Sequence, residues 1–491
     1  MPQTHHVDLC IIGSGSGNSI PDERFDDWRI ALVDDGPHFG GTCLNVGCIP
    51  TKMYVHPADL ARTPEHAAPL GVDLTLDQVH WAEIRDRIFG RIDPISAAGE
   101  RYRAESRNIQ LFRQRARFVA DKTIQLTDGT QITADRYVLA AGSRVRIPDV
   151  PGLAETPYET SDTVMRLAEL PETMIIVGAG YVAAEFAHVF SAYGTKVTLV
   201  GRGDRLLRHE DDDISSRFTR SMGERVDLRL QQRLIGVRQE SPDSAVAAST
   251  AESGRSQARV VVDIDGPDGP ATLTADVLLV ATGRIPNGDR LDLERTGVAL
   301  GKNGYVVVDD YQRTTAEGIF ALGDVSSYCQ LKHVANQEAR VVQHNLLYPD
   351  ELVRSDHRFI PHAVFSSPQV ASVGLTESEA KERGLDYVVA LKPYADVAYG
   401  WAMGETGDHV VKLLADPQTA QLIGAHLIGP EASSLIQPLI QAMSFGQRAD
   451  ELARGQYWIH PAMAEVIENA LLALPFEHRG PAWAEPSGSQ E

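Results

Sequence analysis

The chain has 491 residues, enough for two or three domains with substantial hydrophobic cores. Its 46 basic and 67 acidic residues give a formal net charge of −21, which disfavours nucleic acid and anionic membranes as partners. Four cysteines do not indicate a secreted disulfide framework, and no apolar run reaches transmembrane length. We therefore expect a soluble, cytoplasmic protein.

The first apolar run, at 7–12, predicts a buried strand that enters the glycine-rich turn GSGSGN. The third glycine of the usual dinucleotide-binding pattern is replaced here by Asn18. Further on, the apolar run IALV ends at Asp34, whose carboxylate can accept hydrogen bonds from a ribose. Gly13, Gly15 and Asp34 therefore predict a dinucleotide site, with a glycine turn that binds no ligand as the alternative.

The segment GGTCLNVGCIPTK, at 40–52, carries Cys43 and Cys48 ahead of a proline suited to the first turn of a helix. A helix N-terminus favours a thiolate, and glycines let the backbone approach a flat group, so we favour a redox-active pair. A reducing cytosol argues against a structural disulfide, and the spacing argues against zinc. Packing alone would account for one cysteine but hardly for both.

This segment resembles the redox-disulfide signature of the pyridine nucleotide-disulfide oxidoreductases. The family includes dihydrolipoamide dehydrogenase and the reductases of glutathione, mercuric ion and mycothione. The resemblance implies that FAD binds at the first glycine turn, next to Gly41 and Thr42. It also implies that Cys43 is the interchange thiol that attacks the substrate disulfide, whereas Cys48 is the charge-transfer thiolate that faces the flavin.

Two charged residues, Lys52 and Glu185, match a lysine-glutamate pair that the family places near the flavin N5 atom.

After the cysteine segment, residues 53–110 predict helices that are broken at four prolines: Pro57, Pro64, Pro69 and Pro94. The buried run YVLAAGS follows, and in similar flavoproteins it passes close to the flavin nucleotide. Ala141 and Gly142 are its predicted cofactor-binding residues.

A second strand and glycine turn, MIIVGAGYVAAE, contains the full GxGxxA pattern with Gly178 and Gly180. The strand that follows, predicted at 196–200, is succeeded by Gly201 instead of a carboxylate, so the usual acceptor for the ribose 2′-hydroxyl is missing. Arg202 and Arg208 match the positions at which glutathione-type reductases hold the 2′-phosphate of NADPH. We therefore expect NADPH rather than NADH, with solvated loop arginines as the alternative.

Three further segments match cofactor-binding parts of the family. Tyr181 matches a tyrosine that covers the nicotinamide pocket, although it could equally be a packing aromatic. The run VLLVATGR ends the second nucleotide-binding unit with Gly283 and Arg284. The run GIFALGD ends with Gly323 and Asp324, and the resemblance implies that this aspartate hydrogen-bonds the ribitol of FAD.

Near the C-terminus, His460 precedes a proline at which we expect a helix to start, and Glu465 lies about one turn inside that helix. The spacing lets Glu465 reach one imidazole nitrogen and raise the basicity of the other. The pair matches the family motif His-Pro-x-x-x-Glu, whose imidazole acts on the thiols of the partner subunit. The resemblance therefore implies a homodimer with shared active sites.

The predicted fold class is α/β, with two Rossmann-like dinucleotide-binding domains for FAD and NADPH and a C-terminal α+β dimerisation domain. We also expect a flexible loop at 239–258 and a disordered tail. The expected boundaries are 1–152 with 286–350 for FAD, 153–285 for NADPH, 351–475 for dimerisation, and 476–491 for the tail.

Within the family, several stretches resemble the mycothione reductases of actinobacteria, among them GSGSGNSI, DVAYGWAM and GQYWIHPAMAEVIENALL. We therefore expect NADPH-dependent reduction of mycothione, without a metal. The main alternative is an NAD-linked dihydrolipoamide dehydrogenase, and a mercuric reductase fits less well. An NADPH-sensing or structural flavoprotein is the alternative outside the enzymes.

Overall fold

The structure is a computed structural model that describes residues 4–240 and 259–476. The expected loop at 239–258 and the expected tail at 476–491 lie almost entirely outside these residues. None of the helices in the described ranges is both long and apolar enough to cross a membrane. The α-helices are Gly41–Asn45, Cys48–Ala61, Thr63–Ala67, Trp81–Ala104, Tyr181–Ala192, Asp212–Gly223, Lys332–Leu347, Glu377–Glu382, Ala398–Ala402, Ala432–Leu435, Gln437–Phe445, Ala449–Arg454 and Glu465–Leu472.

The largest sheet in the described residues has seven strands, and its centre is parallel. Its central parallel strands contain apolar runs that are buried on both faces, as the fully buried strand Ile30–Val33 illustrates. The long strand Gln131–Leu139 pairs with an antiparallel hairpin near its start and with Ile319–Ala321 near its end. In spatial order the first six strands are Ile109–Phe112, Ile30–Val33, Thr4–Ile12, Gln131–Leu139, Thr123–Leu126 and Ala116–Ala120.

A second parallel sheet of four strands carries the second glycine turn, and a three-stranded antiparallel sheet packs beside it. A short pair, Ser143–Val145 with Arg284–Pro286, joins the segments that leave and re-enter the first sheet. The four parallel strands, in spatial order, are Asp227–Arg229, Lys196–Val200, Thr173–Val177 and Val277–Val280. The antiparallel strands are Arg233–Glu240, Arg259–Asp265 and Ala271–Ala275.

The C-terminal part folds around a five-stranded antiparallel sheet with helices packed against it. The central strand Leu422–Gly429 is almost fully buried, which accounts for its continuous apolar sequence. The strands, in spatial order, are His362–Val364, Gln369–Gly374, Leu422–Gly429, Val410–Ala415 and Val388–Pro393. Together the three regions confirm the predicted α/β fold class.

The prediction that four prolines break the helices is half wrong. Pro64 and Pro69 lie in the first turn of new helical segments, as expected. Pro57 and Pro94, in contrast, lie inside the continuous helices Cys48–Ala61 and Trp81–Ala104. Each proline removes one backbone hydrogen bond, but buried side chains on both sides of Pro94, Ile92 before it and Ser96 after it, hold the helix against the core.

Candidate active site

A cleft of about 2640 Å³ runs between the first sheet, the second glycine turn and the start of the C-terminal part. Every cofactor-binding residue predicted from the sequence lines it, together with four of the six predicted catalytic residues. The lining includes Gly13, Gly15, Asp34, Gly41, Thr42, Cys43, Cys48, Lys52, Ala141, Gly142, Gly178, Gly180, Tyr181, Glu185, Arg202, Arg208, Gly283, Arg284, Gly323 and Asp324. His460 and Glu465 do not line it.

The two glycine turns share one backbone geometry at the end of their strands. Gly13 has φ +113°, and a Cβ there would lie 2.2 Å from the carbonyl oxygen of Ala140. Gly178 has φ +147°, and its Cβ would lie 2.3 Å from the carbonyl oxygen of Ala281. Only glycine meets both the torsion and the close approach, so the backbone of each turn is left open toward the cleft.

In the first turn, Gly17 packs as closely against the neighbouring strand as the third glycine of the usual pattern would. A Cβ at this buried position would lie 2.7 Å from the Cβ of Ala140. Asn18, which occupies the third glycine position, is held by Arg103, whose Nε donates to Asn18 Oδ1 at 2.7 Å and whose Nη2 donates to the Asn18 carbonyl at 2.6 Å. The usual function of the third glycine is therefore divided between a neighbouring glycine and a buried arginine.

Two aspartates mark the predicted ends of an FAD site. Asp34 accepts hydrogen bonds from Ser14 at 2.6 Å and from Arg113 at 2.9 Å. Asp324 accepts from Ser143 at 2.6 Å. An open glycine cradle with a carboxylate at each end fits FAD, which carries a pyrophosphate between two polyol groups. Sequence patterns did not identify Ser143 or Arg113, because neither belongs to a motif and each is far in sequence from the aspartate that it contacts.

The two cysteines belong to two consecutive helices. Cys43 belongs to the helix Gly41–Asn45, and Cys48 is the first residue of the helix Cys48–Ala61. A Cβ on Gly47 would lie 2.9 Å from the carbonyl oxygen of Thr42, so a side chain at this position would push the two elements apart. The fold thus brings the two thiols into hydrogen-bond contact, in the form in which neither is oxidised.

The two thiols differ strongly in acidity. A hydrogen bond from Cys43 lowers the pKa of Cys48 to about 7, and the positive charge of Lys52 one helical turn further on lowers it as well. The same contact raises the pKa of Cys43, and partial burial raises it further. At neutral pH the reduced pair therefore carries its thiolate on Cys48, whereas Cys43 stays protonated and needs a base before it can act as a nucleophile.

Lys52 and Glu185 form the predicted ion pair. The Lys52 ammonium donates to both carboxylate oxygens of Glu185 at 2.6 Å. The buried carboxylate also accepts from the backbone N–H of Phe365 at 2.9 Å, and Lys52 lies 4.5 Å from the centre of the Phe365 ring. No sequence signal identified Phe365 as part of the site. It follows the first strand of the C-terminal sheet and contacts both members of the ion pair.

The second glycine turn leads to two unpaired arginines. A side chain at Gly201 would be tightly packed, because a Cβ there would lie 3.0 Å from Leu230 and 3.1 Å from Ala179. Arg202 and Arg208 are exposed on the wall of the cleft, and neither forms an ion pair with a carboxylate of the described residues. Their neighbour Arg205, in contrast, is bound to Asp212 at 2.8 Å.

His460 and Glu465 are bonded to each other but lie on a different surface. The Nδ1 atom of His460 is 2.8 Å from Glu465 Oε1, and the hydrogen bond lowers the pKa of the carboxyl. The predicted helix start is wrong: the helix begins at Glu465, four residues after the proline, because residues 461–464 form a turn. The side chain of His460 is 72% exposed, and two large apolar neighbours, Tyr457 and Ile459, are exposed as well.

Comparison with known protein families gives two matches that together span most of the chain. The profile of the pyridine nucleotide-disulfide oxidoreductases matches residues 7–339, and the profile of their dimerisation domain matches residues 360–471. The chain belongs to this family. Membership confirms the predicted oxidoreductase. Together with the relatives below it implies FAD and NADPH as cofactors, as expected from the resemblance and from Arg202 and Arg208.

Individual members of the family differ widely in their similarity to the chain. Mycothione reductase of Mycobacterium tuberculosis is 52% identical over 476 residues, which are 95% of this chain and 99% of the relative. Mercuric reductase of Staphylococcus aureus is 32% identical over 472 residues, 96% of this chain and 82% of the relative. Dihydrolipoyl dehydrogenase of Mycobacterium leprae is also 32% identical, over 96% of this chain and 98% of the relative.

Among solved structures, the HOCl-induced flavoprotein disulfide reductase RclA from Escherichia coli superposes with a TM-score of 0.80. Its sequence is 26% identical, and the alignment covers 95% of this chain and 99% of RclA. The similarity extends over the nucleotide-binding and C-terminal parts together. This member of the pyridine nucleotide-disulfide oxidoreductases thus keeps the arrangement of both parts seen in a flavoprotein disulfide reductase.

Replacing Lys52 with methionine is expected to raise the pKa of Cys48. The lysine charge favours the thiolate, and its loss leaves the buried carboxylate of Glu185 to oppose it. In the reduced parent oxidoreductase, the Cys48 thiolate should persist above about pH 7 and disappear as the pH falls through that value. We expect Lys52→Met to move this midpoint upward by about one pH unit or more.

The measurement is an acid titration of the long-wavelength absorbance that a thiolate produces next to oxidised flavin. Lys302→Met removes an exposed lysine that does not line the cleft, so it controls for the loss of one positive charge. An unchanged midpoint in Lys52→Met would show that Lys52 does not act on Cys48.

Proposed function

We propose that the chain reduces mycothione, the disulfide of mycothiol, with electrons from NADPH. The observation that carries the proposal is the pair Cys43–Cys48 at the start of a helix, next to the ion pair of Lys52 and Glu185. The substrate is inferred from the mycobacterial mycothione reductase, which is far more similar to this chain than the mercuric reductase and the dihydrolipoyl dehydrogenase.

We assign FAD to the cleft along the first sheet, within residues 1–152 and 286–350, and NADPH to residues 153–285. FAD, when bound, carries the reducing equivalents from NADPH to the Cys43–Cys48 disulfide. The backbone of the first turn would hold the pyrophosphate, and Asp34 and Asp324 would hold the polyol groups. The positive charge of Lys52 would stabilise negative charge on the reduced flavin ring, and Glu185 would hold the lysine side chain in position.

Disulfide exchange uses the chain's own residues. The Cys43 thiolate attacks one sulfur of the substrate, so that a mixed disulfide forms and the first product leaves as a thiol. Cys48 then attacks the Cys43 sulfur, which restores the intramolecular disulfide and releases the second product. Because the pKa of Cys43 is raised, its thiol can attack only after a base has removed the proton.

We assign that base to His460 of the partner subunit. Glu465 accepts a hydrogen bond at one imidazole nitrogen, so the other can take the Cys43 proton and return it to the leaving thiolate. The exposed apolar surface around His460 within residues 351–475 would be covered in a two-fold dimer. Each active site of the homodimer would then contain cysteines from one subunit and the imidazole of the other.

The cofactor assignment predicts that Arg202→Glu impairs turnover with NADPH far more than turnover with NADH. The substitution replaces a phosphate-binding cation with a repelling anion, whereas NADH has no 2′-phosphate to repel. We expect kcat/KM to fall about 100-fold for NADPH and only a few-fold for NADH, as measured by steady-state kinetics. Arg295→Glu is the matched control, since Arg295 is exposed, lies outside the cleft and, like Arg202, forms no ion pair with a carboxylate of the described residues. Equal losses with both nucleotides would contradict the assignment.

The substrate assignment is tested by comparing mycothione, glutathione disulfide and lipoamide as substrates of the purified yellow protein, with NADPH and NADH in parallel. We expect efficient turnover only of mycothione, and only with NADPH. Turnover of lipoamide with NADH would instead support the dihydrolipoamide dehydrogenase alternative. Bleaching of the flavin by NADPH with no disulfide turned over would support an NADPH-sensing flavoprotein.

A further inference from the structure

The first nucleotide turn lacks the helix that normally follows it. Only a four-residue 3₁₀ helix, Ser16–Ser19, comes after the turn, and a second short one, Glu23–Phe25, precedes the next strand. The second turn, in contrast, leads into the twelve-residue helix Tyr181–Ala192. A helix N-terminus contributes about half a positive charge to a bound pyrophosphate, and a single 3₁₀ turn contributes much less. The first site is therefore deficient in positive charge.

A lysine from a distant part of the chain reaches this turn. The Lys332 ammonium donates to the hydroxyl oxygen of Ser16 at 2.8 Å, although 316 residues separate the two in sequence. Lys332 is half-buried, lines the cleft and forms no ion pair with a carboxylate of residues 4–240 and 259–476. A partly desolvated cation without an anionic partner is costly, which indicates that its partner is a ligand.

The position of Lys332 in its own helix adds to the effect. It is the first residue of the sixteen-residue helix Lys332–Leu347, so the positive end of a long helix points to the same place as the ammonium group. The positive charge of Lys332 also favours the thiolate of Cys43 and so opposes the rise in the pKa of that thiol. Lys332 thus interacts with both the first nucleotide turn and the cysteine pair.

We propose that Lys332 binds the pyrophosphate of FAD and replaces the charge that the missing helix would supply. Two of its three N–H donors remain available beyond Ser16, and a lysine pairs with phosphate as a compact point charge. The proposal concerns FAD binding alone, so it stands or falls independently of mycothione as the substrate.

The test is the rate at which FAD leaves the holoenzyme, measured as the rise of free-flavin fluorescence after dilution. Lys332→Met keeps the length of the side chain and removes its charge, and we expect release to accelerate about 10- to 100-fold. Added KCl should accelerate release in the parent protein and have a weaker effect in Lys332→Met, because the screened interaction is gone. Lys332→Arg should stay close to the parent protein.

Lys302→Met is the control for loss of an exposed lysine and should release FAD at the parent rate. Release that is equally fast in the Arg and Met variants would overturn the proposal, because charge would then not be the cause. Fast release in Lys332→Met with the salt dependence of the parent would overturn it too, since this result indicates a loosened fold. Unchanged release with altered alkylation of Cys43 would assign the lysine to the thiol instead.

Discussion

Replacement of Cys43 with serine is expected to lower disulfide turnover by about 10⁴-fold or more while leaving FAD bound. Serine cannot form the mixed disulfide, so the exchange has no nucleophile that faces the substrate. Cys48 cannot replace it, because the proposed arrangement directs Cys48 toward the flavin. The variant should nevertheless show a long-wavelength absorbance without added reductant, since the unpaired Cys48 thiolate, which the positive charge of Lys52 still favours, would lie next to oxidised flavin.

Two further variants separate this result from a general disturbance of the cleft. Cys48→Ser should lose both turnover and the long-wavelength band. Cys329→Ser makes the same chemical change elsewhere in the cleft and should alter neither. Full turnover in Cys43→Ser together with loss of the band would mean that the two cysteines have the opposite roles.

The parts of the fold that local sequence predicts best are the buried parallel strands. The predicted strands at 30–33 and 196–200 coincide with the observed strands Ile30–Val33 and Lys196–Val200. The run IALV is apolar at every position because its strand is buried on both faces, whereas KVTLV begins with an exposed lysine and has its apolar residues at the buried positions. The C-terminal strand Val388–Pro393 was not predicted, because its six residues, VVALKP, show neither a long apolar run nor a regular alternation, and only Ala390 is buried.

The local chemistry of the candidate site was predictable because its motifs are compact in sequence. The cysteines lie five residues apart, and each glycine turn directly follows its strand, so spacing alone brings their atoms together. The residues that adjust these groups were not predictable. Phe365 is 180 residues from Glu185, and Lys332 is 316 residues from Ser16, so only the packing of separate parts of the chain places them.

The region of His460 shows how a correct motif can accompany a wrong local structure. Proline after His460 suggested a helix start, since proline is favoured in the first turn. The observed helix begins at Glu465, yet the carboxylate still reaches the imidazole at 2.8 Å. Either a turn or the first turn of a helix can bring the His460 imidazole and the Glu465 carboxylate together. Their contact was therefore easier to predict than the backbone conformation between them.

The arrangement of His460 leads to the second prediction with a large effect. His460→Ala is expected to lower kcat for disulfide reduction about 10²- to 10⁴-fold, because Cys43 would lose its base. The loss should be greatest below the pKa of Cys43, where the thiol cannot ionise unaided, and it should diminish as the pH rises. Steady-state rates across a pH series, with His80→Ala as the control for loss of an exposed histidine outside the cleft, measure both effects.

Mixing two inactive variants distinguishes a shared active site from one within a single chain. In a heterodimer of Cys43→Ser and His460→Ala, one site would combine both substitutions, and the other would combine the intact cysteines with an intact imidazole. Random reassociation of equal amounts makes half of the dimers mixed, each with one of two sites restored, so we expect about a quarter of the parent activity. If both groups acted within the same chain, every subunit would carry a defect and the mixture would stay inactive. Activity of the mixture therefore measures directly whether the exposed imidazole serves the cysteines of the partner subunit.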